Sequence, residues 1–129
     1  MTSPHTVRRY LPGDYNEIAA WYHARNLEAP RPQSLGRVGY IYPERAAGFL
    51  VQTDIDTAII DPLISNPVSL VSRRDEALDL IGLSLIESAN QLGFNFVSGF
   101  TKFPVVEKRA LEHKFRAMGQ YQLMVREIK

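Results

Sequence analysis

The chain has 129 residues, 45% hydrophobic and 22% charged, which excludes intrinsic disorder and suits a single domain spanning residues 1–129. Fifteen basic against fourteen acidic residues leave a net charge of +1, so no global field draws the protein to phosphate backbones or anionic lipid. With no cysteine, disulfides, thiolate metal sites and a cysteine nucleophile are excluded.

The run Thr6 to Leu11 reads as a short first strand that Pro12-Gly13 breaks. Asp14 and Glu17 have the spacing of a capping box, which starts a helix whose apolar face is Tyr15, Ile18, Ala19 and Tyr22 and which lasts to Arg25-Asn26. Pro30, Pro32 and Gly36 make Leu27 to Gly36 a loop, because prolines lack the donor and the free φ a helix needs. Val38 to Tyr42 and Ala46 to Thr53 form a hairpin around Pro43-Glu44. A turn at Asp54-Ile55-Asp56 leads into Thr57 to Ser65, a β-branched, apolar strand suited to burial. Pro62 cannot donate to a ladder, so this strand is expected to bulge or come unpaired there.

Asn66 to Ser72 reads as a loop, and Arg74 to Leu92 as a long amphipathic helix with Ala77, Leu78, Ile81, Leu85, Ala89 and Leu92 inward. Gly93 stands where a left-handed cap is wanted. Phe94 to Thr101 alternates with strand period, Phe94, Phe96, Ser98 and Phe100 sharing a face. Pro104 opens a helix to about Phe115, and Gln120 to Ile128 alternates as a last strand. The order β-α-β-β-β-α-β-α-β, antiparallel first and βαβ later, defines an α/β chain of the α+β kind with a central mixed sheet flanked by helices.

That order, with the segments Asp54 to Pro67, Arg73 to Gly93 and Glu112 to Gly119, resembles the GNAT (N-acetyltransferase) superfamily over nearly the whole chain. The resemblance implies an acyl-CoA cofactor, acetyl-CoA, and an amine acceptor. It places the carrier along Leu63, Ile64 and Ser65 and at Ser72, Arg73, Arg74, Asp75, Glu76 and Ala77. A helix N-terminus there offers unpaired N–H groups and positive dipole charge to phosphate. The family's loop motif, Gln or Arg, two residues, Gly, one residue, Gly or Ala, aligns with Ser72 to Ala77 and agrees only at Ala77. Asp75 replaces a glycine, its carboxylate opposing phosphate, and Arg73 and Arg74 compensate. The family's Tyr-Glu-Lys-x-Gly-Phe-like segment aligns with Ala110 to Phe115, so Phe115 matches while Ala110 replaces the tyrosine that protonates the leaving thiolate. The stretches Ala46 to Leu50, Ala58 to Ile60 and Asn66-Pro67 also resemble small GNAT-like proteins of tailed phages.

A protonated amine has no lone pair, so acyl transfer needs a base. In the fold implied by the resemblance it projects from the central strands, which selects Asp61 as the catalytic residue, ahead of Asp54 and Asp56, whose turn gives them a structural role. His5, His23 and His113 share no metal spacing, and no metal is expected. Trp21, Tyr40 and Tyr42 are expected in the core rather than a cleft, and Lys102, Lys108 and Lys114 in solvent. The sequence lacks a Walker loop, a dinucleotide-binding glycine motif and a serine elbow. Arg8-Arg9 and Arg73-Arg74 are the dense basic spots that nucleic-acid binding would need. The substituted loop and missing tyrosine leave a second reading, a catalytically inactive binding or assembly module with a protein partner or a homo-oligomeric state. Arg8-Arg9 is followed by no apolar run, and the longest helix carries Asp79, Glu87 and Asn90, so a cytoplasmic location is expected.

Overall fold

The structure, a computed structural model, describes residues 6–101, 104–120 and 122–128. The element order is β1 (Arg8–Arg9), α1 (Tyr15–His23), β2 (Val38–Tyr42), β3 (Ala46–Val51), β4 (Thr57–Ser65), α2 (Val71–Gln91), β5 (Phe96–Ser98) and α3 (Pro104–Glu112), with short 3-10 turns at Pro12–Asp14 and Pro32–Ser34. The five strands form one sheet in sequence order. β1 to β4 pair antiparallel, and β5 joins β4 parallel, as a βαβ crossover through α2 requires. Helices cover both faces. Val38, Ala46, Leu50 and Ala58 pack with Ala77, Ile81, Leu85 and Ala89 of α2. On the opposite face Ile41, Ala47, Phe49 and Ile64 pack with Ile18 and Trp21 of α1.

The bulge expected at Pro62 is present. Gly48 pairs with Leu63 and Leu50 with Ile60, so Phe49 alone stands opposite both Asp61 and Pro62, whose peptide bond is cis. The extra residue reverses the facing of the strand. Ile60 and Leu63, three apart, both join the α2-side core, while Ile64 joins the α1-side core. Gly48 lies where α2 comes closest, for a Cβ there would meet Leu63 Cδ1 at 2.7 Å and Ile81 Cγ2 at 2.8 Å. Trp21 and Tyr42 are buried in the core, and Tyr40 is half-buried with its hydroxyl 2.6 Å from Ser88 Oγ.

Several boundaries differ from the sequence expectations. β1 shrinks to two residues. The capping box at Asp14 and Glu17 is absent because the Asp14 carboxylate is already engaged behind the helix. It accepts two hydrogen bonds from the Arg8 guanidinium at 2.8 Å each and one from the Leu11 N–H at 2.8 Å. The Arg8 bonds, offset by partial burial, hold the Asp14 carboxyl below the ordinary carboxylate range. A depressed native pKa stabilises above the unfolded-state value and loses that contribution as pH falls through the native one. Asp14→Asn is therefore expected to cost about 1 kcal/mol at pH 7. The gap between the two proteins should close in urea titrations run well below pH 4.

α2 begins at Val71, earlier than Arg74, and ends before Gly93, whose φ of +91° supplies the expected left-handed cap. Phe94 donates its N–H to Ala89 O and so belongs to the close of that helix, which leaves β5 three residues. Val97 rather than Phe96 faces the core, Phe96 and Phe100 being exposed. α3 stops at Glu112. Lys114, aligned with the family's glycine, has φ +69°. A side chain in that region is strained, so Lys114→Gly is expected to stabilise by about 0.5–1 kcal/mol, read as a rise of about 2–4 °C in melting temperature.

The last strand is a correction. Gln120 and residues 122–128 form no strand and are exposed, Leu123 and Val125 among them, whereas Tyr121 and Lys129 fall outside the described residues. Alternation supplies a face, but a strand exists only through a partner ladder, and this segment lies along none.

Candidate functional site

β5 pairs with β4 only from Thr57 to Ile59. Beyond that, no described strand covers the outer edge of β4 from Ile60 to Ser65, the parallel pairing stopping just before the bulge. Backbone direction along that edge follows from a single bond. Asn66 N–H reaches Arg45 O on the β3 side, and alternation then turns the backbone groups of Leu63 and Ser65 outward. The Ser65 carbonyl accepts Arg25 Nη1 at 2.5 Å, and Ser65 Oγ accepts Arg25 Nη2 at 3.1 Å.

The loop after β4 is fastened by Asn66. Its amide donates to Glu44 O at 2.8 Å and its side-chain oxygen accepts the Val68 N–H at 3.1 Å. This ties the loop that leads into α2 to the turn between β2 and β3. Among the described residues no side chain caps that helix, and its first turn holds no acidic residue, so its first N–H groups have no intrahelical partner and positive dipole charge gathers there. Arg73 is exposed and Arg74 half-buried. Arg74 Nε is buried without a hydrogen-bond partner among the described residues. Burial first, and then the nearby Arg74 charge, lower the Arg25 pKa below the usual guanidinium value. Arg25 thus lies near Arg74, which stands in the first turns of α2, and guanidinium groups and free helix amides each attract an anion.

Asp61 stands on the bulge, exposed as a residue but with its carboxyl partly desolvated, which raises its pKa. Tyr22 of α1 faces it. Burial raises the Tyr22 pKa, and the Asp61 charge raises it further.

The other residues expected at the site are distributed along α2. Ser72 is exposed on its first turn and Ala77 is fully buried against the sheet. Glu76 turns to Arg45 at 3.4 Å. Asp75 is paired with Arg109 of α3 at 2.7 Å, and the same guanidinium holds Asp79 at 2.9 Å. Asp54 and Asp56 are exposed in a turn tied by Thr53, whose hydroxyl donates to Thr57 O at 2.6 Å. Of the histidines, His113 sits 3.3 Å from Asp79 and His23 closes α1, while His5 lies outside the described residues. Lys108 and Lys114 are exposed and Lys102 lies outside the described residues. Among the described residues no group of three His, Cys, Asp or Glu could hold a metal, and no helix is long and apolar enough to cross a membrane. A separate cleft of about 610 Å³ opens between α2 and the β1–β2 edge, lined by Tyr40, Tyr42, Glu76 and Glu87 among others.

Sequence reading missed Arg25. Its partner Ser65 is 40 residues away, and nothing local marks an arginine at a helix end as a ligand.

By sequence, no protein-family model and no curated protein matches the chain. Solved structures do. An acetyltransferase from Trypanosoma brucei aligns at 13% identity with a TM-score of 0.72, over 93% of this chain and 98% of that one. A GNAT family acetyltransferase from Streptococcus pneumoniae aligns at 12% identity and 0.60, over 96% and 98%. An aminoglycoside acetyltransferase from an uncultured soil sample, solved with sisomicin, aligns at 13% identity and 0.66, over 96% of each chain. The chain has the α+β fold of the GNAT acetyltransferases. These matches lend no support to a phage origin.

Proposed function

We propose that the protein is an acyl-CoA-dependent N-acetyltransferase, with acetyl-CoA lying along the outer edge of β4 and its phosphates at the start of α2. The observation that carries this reading is the combination of outward backbone groups at Leu63 and an outward Ser65 N–H, uncapped helix amides, and the neighbouring Arg25 and Arg74. A strand edge suits the amides of a pantetheine arm, because it offers donors and acceptors at the spacing of an added strand. Guanidinium groups and helix amides suit a pyrophosphate. The buried, unpartnered Nε of Arg74 is the kind of atom such an anion satisfies.

When bound, the carrier supplies an acetyl thioester, a carbonyl carbon activated toward an amine. The chain's own residues do the rest. Leu63 and Ser65 hold the arm in register, Ile64 being turned instead to β3 and the core, while Ser72, Arg73, Arg74 and the adjoining amides hold the phosphates. Asp61 removes a proton from the incoming ammonium so that a neutral amine is available, and its raised pKa makes it a stronger base than an ordinary aspartate. The acceptor is an amine, as the aminoglycoside bound by the soil enzyme is.

Calorimetric titration with acetyl-CoA tests the reading. Heat of binding together with a rise in melting temperature at millimolar ligand is expected. Silence in both would discard acetyl-CoA as the ligand and leave the inactive binding or assembly module.

A further inference from the structure

The first two turns of α2 carry an aspartate, Asp75, where the family's loop has a glycine, and an ionised carboxylate there would repel the phosphates the groove is built to attract. Asp75 is not free to do so. Arg109 of α3, its side chain only 13% exposed, donates from Nη2 to Asp75 Oδ1 at 2.7 Å and from Nε to Asp79 Oδ1 at 2.9 Å. Asp75 and Asp79 are one helical turn apart on the same face, so a single planar guanidinium bridges both, a geometry lysine cannot reproduce. His113 Nε2, 3.3 Å from Asp79 Oδ1, completes the cluster.

We infer that Arg109 is a positioning residue for the cofactor site: it draws the Asp75 carboxylate toward α3 and partly offsets its charge, so that the mouth of α2 stays attractive to phosphate. The inference rests on the acetyl-CoA reading and extends it to a residue that touches neither the carrier nor the reacting atoms. It also explains how an aspartate is tolerated at a glycine position. Arg109 offsets one of the two carboxylate charges it bridges and draws both toward α3, so that less of the Asp75 charge opposes the cationic field of Arg25 and Arg74.

The test is a double-mutant cycle on the full chain, with coenzyme A and phosphate-free pantetheine as calorimetric probes and thermal melts to confirm folding. Arg109→Ala is expected to weaken coenzyme A binding about tenfold and leave pantetheine binding unchanged. Arg109→Ala combined with Asp75→Asn should bring coenzyme A affinity back to near the parent value, since the repelling charge is gone. If the double variant stays as weak as Arg109→Ala, or if pantetheine suffers equally, Arg109 acts by docking α3 and the masking role is overturned. Unchanged coenzyme A binding by Arg109→Ala overturns it as well. Failure of the parent protein to bind coenzyme A at all removes the cofactor reading itself, an outcome distinct from the other two.

Discussion

Asp61→Asn is expected to lower kcat/KM for acetyl transfer by about 10²- to 10⁴-fold while acetyl-CoA affinity stays near the parent value. The carboxylate sits at the bulge, just beyond the pairing of β4 with β5, and faces Tyr22 of α1, and asparagine keeps its shape but cannot accept a proton. Burial pushes the Asp61 pKa up. The ionised form is the active one, so kcat/KM should fall as pH drops through that raised value, at a pH above the ordinary aspartate range. The limb should be absent from Asp61→Asn. Stability moves the other way. A native carboxyl with a raised pKa makes the fold less stable as pH rises through it, so the substitution is not expected to lower the melting temperature at pH 7. Initial rates of thiol release from pH 4 to 8, beside thermal melts, separate a lost base from a lost fold. A variant that keeps both the rate and the acid limb removes Asp61 from the mechanism.

Much of the fold was legible in the sequence because its parts are made by local rules. Pro62 cannot join a ladder, and the bulge stands at that residue. Gly93 ends α2 with φ +91°, and β2 and β4 have the bounds that the turn at Pro43-Glu44 and the β-branched, apolar run Thr57 to Ser65 indicate. What failed to show were pairings between distant residues. Arg25 meets Ser65 across 40 residues and Arg109 meets Asp75 across 34. Neither arginine carries a local signal, and Asp75 read alone looks like an obstacle to phosphate when Arg109 already offsets part of its charge. The expected capping box failed for a different reason, a nearby competitor, since Arg8 and the Leu11 N–H had claimed the Asp14 carboxylate. The segment 122–128 errs in the opposite direction. Its pattern is local and clear, yet a strand is a relation between two segments.

Arg74→Met is expected to weaken coenzyme A binding about 10- to 100-fold, the cost of a charge-assisted hydrogen bond to phosphate, without lowering the melting temperature. The two halves of the prediction have one cause. In the free protein Arg74 keeps its Nε buried and unpartnered and stands close enough to Arg25 to depress that guanidinium's pKa. Its head group is therefore a burden on the fold until an anion arrives, and methionine keeps the apolar stem while removing both the orphaned donor and the repulsion. The salt dependence of coenzyme A binding should become shallower in the variant, because one cationic contact with the phosphates is gone. An arginine kept for packing would show the reverse pattern, a lower melting temperature with coenzyme A affinity and its salt dependence untouched. That result would detach Arg74 from the proposed anion site and leave Arg25, Arg73 and the helix amides to attract the phosphates.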